Sequence, residues 1–424
     1  MPDDLNRSNH PKNLSNTLDT KDDIHKSAKG FSFAEIKGRR KTQQDSGFIG
    51  FTNNQEAKQN PAEFLSDATI ASEKQHKECK NGTTICSAIV KENEITVANL
   101  GDSRAALIIR HKGIFRDRFT SILLSEDHDL SIPRVAKQVK EKGGSITEDK
   151  GSLVVNGKLT MGGSIGDKAT IGQGQDCLIR KPDIFQYNLS ELYQKTGINP
   201  EKVIDVDLIV SCDGLWDLKK ASPEYVKVKT DFEFKIDDKG EQKLKQNYFS
   251  SFLENISKVK KSHLKKPNVG LATVAAEKSF NKGSKDNISV AHIAIIAEGD
   301  SVINEGKAVM ATICDGHGDG LGQTEEIDVY NSELKQNWDG LIVASSVAAD
   351  IHKAAEIEDI KGLEVDQKKQ SYLSKFLGLQ SAKEILESEK DSINWQGNPM
   401  SKNNPITNPS AIKLDQRRES QLDL

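Results

Sequence analysis

The alternation of apolar and polar positions predicts a chain of strands between residues 31 and 360, with turn residues separating the apolar runs. The segment ITVANLGDSRAALIIR (95–110) predicts two strands around a Gly-Asp turn. The segments VDLIVSCDG (206–214) and NISVAHIAIIA (287–297) are apolar almost throughout, which indicates buried strands. Strands therefore make up much of the predicted fold.

Three other segments have the pattern of helices. PRVAKQVKEKGG (133–144) places its apolar residues on one face and ends in a Gly-Gly stop, and PAEFLSDATIASEKQHK (61–77) and VGLATVAAEKSFNKG (269–283) are further candidates. Strand-rich runs with helices between them predict an α+β fold with packed layers.

Polar and charged stretches define the predicted domain organisation. Residues 1–30 are polar without periodicity and predict a disordered N-terminal arm, and residues 361–424 predict a polar C-terminal tail with one short helix at 371–390. Residues 31–360 form one predicted domain between them. Within this domain, residues 228–268 are strongly charged, which favours a solvated insertion, and a docking surface for an acidic partner is the alternative.

Composition narrows the class of protein. The 424 residues are 35% hydrophobic, enough for a sizeable core, and a net charge of −4 gives no case for non-specific nucleic-acid binding. No apolar stretch approaches the roughly 20 residues of a membrane span, and the N-terminus lacks the layout of a secretory signal peptide. We therefore expect a soluble, cytoplasmic protein, and the Lys/Asn-rich composition would also suit delivery from a bacterium into a host cell.

The five cysteines are scattered and form no C-x-x-C pair or C-x5-R motif, which argues against a zinc knuckle, a disulfide framework and a cysteine phosphatase. Cys212 and Cys314 each precede an Asp-Gly pair within an apolar run. We expect both to be small, buried core residues.

Aspartates stand at the ends of several predicted strands. LIVSCDGLWD (208–217) and VMATICDGHGD (309–319) deliver Asp213 and Asp315, each followed by a glycine that lets the backbone approach a ligand. A third aspartate, Asp286, stands just before the predicted strand that begins at residue 288.

These aspartates are expected to converge. Consecutive strands at 288–297 and 307–314 are predicted to pair as an antiparallel hairpin, which would place Asp286 beside Asp315. Clustered carboxylates repel one another unless a cation compensates them, and oxygen ligands favour Mg²⁺ or Mn²⁺ over zinc. A turn or helix cap is the alternative for any single aspartate, but the set favours a metal site.

A basic element lies near the front of the chain, GRRKTQQDSGF (38–48), in which Arg40 comes five residues before Asp45. An arginine fork beside bound metal ions suits a phosphate oxyanion, and a surface arginine in a basic turn is the alternative. His317 adds a titratable imidazole two residues after Asp315.

Nine short motifs lie between residues 31 and 320: GRRKTQQDSGF, NGTTICSAIV, VANLGDSRAAL, LSEDHDL, RVAKQVKEKGGSI, VNGKLTMGGSIGD, LIVSCDGLWD, GSKDNISVAHIAI and CDGHGDG. Together they resemble the metal-dependent protein phosphatases of the PPM group, also called type 2C serine/threonine phosphatases. The resemblance implies a PPM-type fold, which is a layered β-sandwich flanked by helices.

One motif is out of the family's order. In the family the DGHGG strand comes soon after the Arg-to-Asp element, whereas here CDGHGDG follows DNISVAHIAI. This order predicts a segment transposed to the C-terminal side within the same fold, and the predicted hairpin would bring Asp315 to its place. Residues 328–359 would then supply the helix that normally follows the motif.

The resemblance implies metal ligands. Asp315 would bridge two Mg²⁺ or Mn²⁺ ions, and the Gly316 carbonyl would reach the second of them. Asp213 and Asp286 would complete the ligands of the first ion, with Asp45 close to the second.

The resemblance also implies further roles. Asp127, together with Asp213 and Asp217, would match a third, weaker metal position. Arg40 would hold the substrate phosphate, and His317 would be the general acid for the leaving alkoxide.

Three positions depart from the family pattern. Gln44 stands where the family usually has glutamate beside the metal-site aspartate, which predicts weaker binding of the second ion. Gly163 replaces an arginine, which predicts looser local packing, and Asp319 replaces the second glycine of DGHGG.

The favoured function is a monomeric Mg²⁺- or Mn²⁺-dependent phosphatase that hydrolyses phosphoserine and phosphothreonine in a phosphoprotein by a metal-activated water, without a phosphoenzyme. A catalytically inactive pseudophosphatase that binds phosphoproteins is the alternative, favoured by Gln44, Gly163 and the transposition. Hydrolysis of another phosphoester is the third option.

Overall fold

Strands dominate the computed structural model, which describes residues 24–28, 30–40, 42–149, 151–168, 176–219, 225–227, 231–237, 239–246, 270–318, 340–360 and 363. The described strands are, in chain order, β1 (Ile24–Ala28), β2 (Phe31–Ile36), β3 (Asp45–Thr52), β4 (Gly82–Thr83), β5 (Ile85–Lys91), β6 (Glu94–Leu100), β7 (Arg104–His111), β8 (Arg118–Leu123), β9 (Ile146–Asp149), β10 (Ser152–Val155), β11 (Ile165–Gly166), β12 (Asp183–Asn188), β13 (Val203–Ser211), β14 (Asp217–Lys219), β15 (Tyr225–Lys227), β16 (Phe232–Ile236), β17 (Gln242–Gln246), β18 (Ile288–Ala297), β19 (Asp300–Ser301), β20 (Ala308–His317) and β21 (Ile357–Glu358).

Helices are fewer and lie between these strands. The described α-helices are α1 (Gln55–Gln59), α2 (Pro61–His76), α3 (Pro133–Glu141), α4 (Leu189–Thr196), α5 (Leu271–Asn281) and α6 (Gly340–Ala354). Short 3-10 turns cover Pro200–Lys202 and Asp213–Leu215. None of these helices has the length and apolarity that a membrane span requires.

Most of the strands belong to two large sheets. Sheet 1 has the order β1-β2-β18-β13-β7-β8-β16-β17, with β19 paired to β18. Sheet 2 has the order β11-β4-β20-β5-β6-β12, with β3 along the other edge of β20 and β21 along β3. Two pairs, β9 with β10 and β14 with β15, form separate hairpins.

Apolar side chains from both sheets meet in one core between them. Leu107 and Leu208 of sheet 1 and Val97 and Ala311 of sheet 2 belong to this cluster. Side chains of a strand point alternately to its two faces, so every second residue of these strands enters the core. The two sheets therefore pack as a sandwich.

Helices cover the outer faces of both sheets. Leu65 of α2 and Val347 of α6 pack with Met310 on the outer face of sheet 2. Leu271 of α5 packs with Ile209 on the outer face of sheet 1. The predicted α+β class, a β-sandwich flanked by helices, is confirmed.

The predicted helices at 61–77, 133–144 and 269–283 correspond to α2, α3 and α5. Helix α6 lies within the predicted helical segment 328–359, of which residues 328–339 lie outside the described residues. The helix predicted at 371–390 and nearly all of the predicted tail also lie outside them.

One predicted boundary is wrong, and a stretch predicted as a charged insertion contains strands. The arm predicted at 1–30 includes β1, which pairs along its whole length with β2 and buries Ile24. The charged stretch 228–268 includes β16 and β17, which extend sheet 1, and Phe234 of β16 is buried in the central core. In both segments alternate residues are polar because one face of an edge strand meets solvent.

The predicted hairpin of strands 288–297 and 307–314 is wrong as well. Strand β18 lies in sheet 1 and β20 in sheet 2, so the two strands do not pair. A strand has two edges, and those of β18 are taken by β13 and β2. Strand β20 pairs instead with β3 and β5, after the chain has crossed between the sheets.

One carboxyl group lies inside the protein, away from the strand ends. Glu35 of β2 is 3% exposed. Burial raises its pKa to about 8, although the charge of Lys26 and a hydrogen bond from the Gly47 N–H act in the opposite direction. Glu35 is therefore neutral in the folded protein at neutral pH.

This pKa predicts a pH-dependent stability. The folded pKa of about 8 lies above the unfolded value of 4.5, so the folded state binds the proton more tightly and the free energy of unfolding falls as pH rises through this window. Glu35→Gln, which stays neutral, should be as stable as wild type at pH 5 and more stable at pH 9, by about a few kcal/mol. Urea unfolding at both pH values, in EDTA, measures the difference. The exposed Glu148→Gln is the control, and parallel pH profiles of Glu35→Gln and wild type would contradict the prediction.

Candidate active site

The centre of the candidate site is a pair of aspartates on neighbouring strands of sheet 2. Asp45 begins β3 and lies directly opposite Asp315 of β20 in the antiparallel register. Asp45 is 2% exposed, and Asp315 is half-buried. Backbone pairing therefore brings together two carboxylates that are far apart in the sequence.

Sheet 1 supplies two further aspartates. Asp213 begins the 3-10 turn just after β13, and Asp286 stands just before β18, the strand that pairs with β13. The turn approaches its neighbour closely at Gly214, where a Cβ atom would lie 1.9 Å from the carbonyl oxygen of Asn287. Glycine is required there for this approach.

The charges of aspartates from one sheet affect the pKa values of aspartates from the other. Burial raises the pKa of Asp45 to about 7, and the charge of Asp286 contributes to this rise. Burial also raises the pKa of Asp315 well above its ordinary value, together with the charges of Asp45, Asp286 and Asp102. The predicted convergence of Asp286 on Asp315 is present, but across two sheets rather than within a hairpin.

Sequence reasoning missed two members of this cluster. Asp102 lies in the turn between β6 and β7, and its Gly-Asp pair resembles the strand-end pattern that identified Asp213 and Asp315. The thiol of Cys212 lies within 4.8 Å of one carboxylate oxygen each from Asp45 and Asp315. Cys212 is buried as predicted, but at the site rather than in the apolar core alone.

The Cys212 thiol is neutral in this environment. Burial raises its pKa well above the ordinary value, and the charges of Asp45 and Asp315 add to the rise. The Ser289 N–H donates a hydrogen bond to the Cys212 sulfur over 3.1 Å. Cys314 is also buried as predicted, and it packs on the helical side of sheet 2.

The residues present fit a hard divalent cation. The side chains of Ser289, Cys212 and Asp315 interact with the Asp45 carboxylate, but neither of its buried oxygens accepts a hydrogen bond of normal geometry from a described residue. Carboxylates that are buried together without such donors are stabilised by a cation, and a donor set made mainly of oxygens suits Mg²⁺ or Mn²⁺. Asp45 and Asp315 are the residues best placed to hold it, with Asp286 and Asp213 beside them.

Arg40 lies at the exposed rim of the cluster and is 50% exposed. Its guanidinium donates two hydrogen bonds to Asp286, from Nε over 2.6 Å and from Nη2 over 2.5 Å. This hydrogen bond raises the pKa of Arg40 against the effect of burial, and the charges of Asp213 and Asp315 raise it further. The arginine that was predicted to hold a phosphate is thus beside the acidic cluster.

His317 is held by a residue that sequence reasoning did not identify. Its Nε2 lies 2.7 Å from Oδ2 of Asp167, and the side chain is 20% exposed. Burial alone would lower the pKa of His317, but the charge and hydrogen bond of Asp167 outweigh it and raise the pKa. Asp167 has a left-handed backbone with φ of +58°, and it accepts a hydrogen bond from Ser164 over 2.5 Å.

The structure does not bring every predicted ligand into the cluster. Asp127 is buried and accepts hydrogen bonds from Nε and Nη2 of Arg104 over 2.8 and 2.6 Å. Asp217 begins β14, and its side chain lies outside the described part of the protein. The third metal position, which needs both aspartates, stays a prediction, as does ligation by the Gly316 carbonyl.

The structure describes the surroundings of two of the three positions that depart from the family pattern. The backbone of Gln44 is used twice, because its carbonyl accepts a hydrogen bond from Gly316 and its N–H donates to Asn287. A Cβ atom at Gly163 would lie 2.3 Å from Nδ1 of His128, so the predicted loosening is wrong and the space is already filled. Asp319 lies outside the described residues.

An arginine reaches the Gly163 loop from another position. Arg180 donates a hydrogen bond to the carbonyl of Ser164 over 2.8 Å and lies 3.4 Å from Glu73. Glu73 in turn accepts a hydrogen bond from the N–H of Gly166, next to Asp167. These contacts fix the loop that presents Asp167 to His317.

Comparison with solved structures finds phosphatases at low sequence identity. A phosphatase from a pathogenic strain of Toxoplasma gondii is 15% identical with a TM-score of 0.41, covering 68% of this chain and 98% of that one. The serine-threonine phosphatase 2C from Toxoplasma gondii is 15% identical with a TM-score of 0.39, covering 64% of this chain and 96% of that one. The fold assignment depends on the strand order and layers described above.

Comparison at the level of sequence finds protein phosphatases. Protein phosphatase 1L of Bos taurus is 34% identical over 136 residues, and the probable protein phosphatase 2C 57 of Oryza sativa subsp. japonica is 32% identical over 144 residues. Each match covers 32% of this chain and 32% of the relative, so the chain spans about a third of the length of these relatives. Residues 23–231 match the family model described as protein phosphatase 2C. Over these residues the chain matches the protein phosphatase 2C family.

Proposed function

We propose that this protein is a divalent-metal-dependent phosphatase that hydrolyses phosphoserine and phosphothreonine in proteins. The observation that carries the proposal is the convergence of Asp45, Asp315 and Asp286 at the seam between the two sheets, where burial and mutual repulsion raise the pKa of the first two. Such a cluster favours binding of Mg²⁺ or Mn²⁺.

The cluster would hold two cations. Asp315 and Asp45 would be the central ligands, and Asp286 and Asp213 would complete the set from sheet 1. When bound, the ions would lower the pKa of a water molecule and neutralise charge on the phosphoryl oxygens. The Cys212 thiol would stay protonated beside them, because burial opposes its ionisation.

Arg40 would orient the phosphate of the substrate. Its guanidinium is at the exposed rim and has a planar arrangement of N–H donors, which suits two phosphoryl oxygens. In the described structure these donors bind Asp286. Substrate binding would therefore require Arg40 to leave this carboxylate, which a cation would then compensate.

His317 would donate a proton to the leaving oxygen. The alkoxide of serine or threonine is a poor leaving group, so protonation should contribute most for these substrates. Asp167 holds Nε2, and its charge and hydrogen bond raise the pKa of the ring together with a hydrogen bond to the Asp315 backbone.

The pseudophosphatase alternative receives no support from these observations. The position of Gly163 is filled by His128, and Gln44 contributes through its backbone. With glycine at 163 and glutamine at 44, Asp45 still lies opposite Asp315. The phosphoprotein substrate, the monomeric state and the transposed order of the family's segments stay predictions.

Removal of the metal or of its central ligand should abolish turnover. Wild type with Mn²⁺ should hydrolyse a phosphothreonine peptide, and both EDTA and Asp315→Ala should lower kcat/KM by at least about 100-fold, since even indirect partners of a metal ligand are worth 10- to 100-fold. Phosphate release measures the rate. Asp149→Ala, at an exposed aspartate of β9, is the matched control. No turnover by wild type at any Mn²⁺ concentration would contradict the proposal.

Asp45→Asn should stabilise the metal-free protein and weaken its response to metal. At pH 8 the Asp45 carboxylate is above its pKa of about 7, so the cost of the buried charge is present in wild type and absent in the amide. Thermal unfolding in EDTA should show a higher Tm for the variant. Mn²⁺ at 100 times its Kd should stabilise wild type by about 2.7 kcal/mol and so raise its Tm. The same Mn²⁺ concentration should raise the Tm of the variant much less. Equal Mn²⁺ shifts would exclude Asp45 as a ligand.

Asp167→Asn tests the proton donor through the leaving group. Asparagine tolerates the left-handed backbone at this position but removes the charge that raises the pKa of His317. We expect kcat on a phosphothreonine peptide to fall roughly 10- to 100-fold, with a loss below about threefold on p-nitrophenyl phosphate, whose leaving group needs no proton. Asp315→Ala should slow the hydrolysis of both substrates. An equal loss on both substrates in Asp167→Asn would indicate a structural role alone.

A further inference from the structure

The most exposed large apolar side chains in the described part of the protein are neighbours at one hairpin tip. Ile114 and Phe115 are 85% and 97% exposed, in the turn that joins β7 to β8. The third such side chain among the described residues, Leu153, is only 38% exposed. An isolated exposed apolar residue is ordinary, but an adjacent pair at a projecting turn indicates a contact surface.

Cations flank this pair. Lys112, Arg116 and Arg118 are exposed, and none of them forms an ion pair with a described residue. The acidic side chain of the turn, Asp117, is compensated by Arg110, with Nε and Oδ2 3.0 Å apart. Residues 112–118, here called the 112–118 tip, therefore combine two apolar side chains with a positive charge.

The 112–118 tip lies at the opposite end of sheet 1 from the acidic cluster. Strand β7 pairs with β13 so that Arg104 is opposite Ser211, next to the cluster, and His111 is opposite Val203. At about 3.3 Å per residue, the strand places the tip more than roughly 20 Å from the aspartates. A surface that binds the tip would leave the candidate active site open.

The size and chemistry of the tip favour lipid over protein. A buried phenylalanine contributes about 150–250 Å², so the pair falls short of the roughly 800 Å² per partner in a stable protein interface. Binding to a membrane surface needs less, because apolar side chains enter the headgroup boundary while basic residues are attracted to anionic lipids. Phe115 between Lys112 and Arg116 has this arrangement.

We propose that the 112–118 tip attaches the protein reversibly to the surface of an anionic lipid bilayer. Ile114 and Phe115 would enter the headgroup region, and Lys112, Arg116 and Arg118 would contact the anionic headgroups. Attachment at this end would turn the acidic cluster away from the bilayer, toward soluble substrates. The inference does not depend on the proposed catalytic activity.

Sedimentation with vesicles tests this inference on the full chain. Wild type should bind vesicles of phosphatidylcholine with 30% phosphatidylserine at low salt, and vesicles of phosphatidylcholine alone much less. Ile114→Ser/Phe115→Ser should weaken binding to the anionic vesicles at least tenfold. Lys112→Gln/Arg116→Gln should also weaken it and should reduce its salt dependence. The side chains of these residues bury little surface in the fold, so the Tm should be unchanged in both variants.

Matched controls separate the tip from general effects of charge and hydrophobicity. Leu153→Ser removes an apolar residue of another hairpin, and Lys137→Gln/Lys140→Gln removes two positive charges from α3, so both should bind like wild type. The basic sequence SKVKKSHLKK could also attract anionic vesicles, but such binding would survive the tip substitutions. Absent binding by wild type, or binding unaffected by Ile114→Ser/Phe115→Ser, would overturn the inference. Tip-dependent binding to immobilised polyglutamate without vesicle binding would overturn the lipid assignment in favour of an acidic protein.

Discussion

Repulsion between buried carboxylates is the constraint on which the candidate site depends. Asp45 and Asp315 face each other because β3 and β20 pair in antiparallel register, and Asp286 approaches both from the other sheet. Left uncompensated, these charges oppose folding, since each disfavours ionisation of the next. The apolar core between the sheets has to hold the strand ends in place against this repulsion.

The same constraint explains why the position of a strand in the sequence matters less than its position in the sheet. Strand β20 comes late in the chain, yet it lies between β3 and β5, near the middle of sheet 2. Antiparallel pairing places its last residues beside the first residues of β3, whatever the connection to the preceding strand. Asp315 can thus complete a cluster that begins with Asp45.

The sequence allowed the strands, the helices and four of the clustered aspartates to be predicted, Asp45 among them through the resemblance, but not how they meet. Alternation identifies β18 and β20 as strands, but it carries no information about which edges are free, so the predicted hairpin was wrong. Cys212 and Asp167 were missed for a related reason. A thiol in an apolar run and an aspartate after a glycine have ordinary structural explanations, and only the folded chain shows that one lies beside Asp315 and the other beside His317.

The two faces of β20 differ: one carries Asp315 and His317, and the other packs against the helical layer. Val309, Ala311 and Ile313 point into the core between the sheets, and the period of two continues this face through Asp315 to His317. The alternate residues face the helical layer, where a Cβ atom at Gly316 would lie 2.1 Å from the carbonyl oxygen of Gly340 at the start of α6. Glycine at 316 therefore lets α6 pack directly behind Asp315 and His317. Any larger side chain would push this helix away from β20 and disturb Asp315 and His317 without touching either.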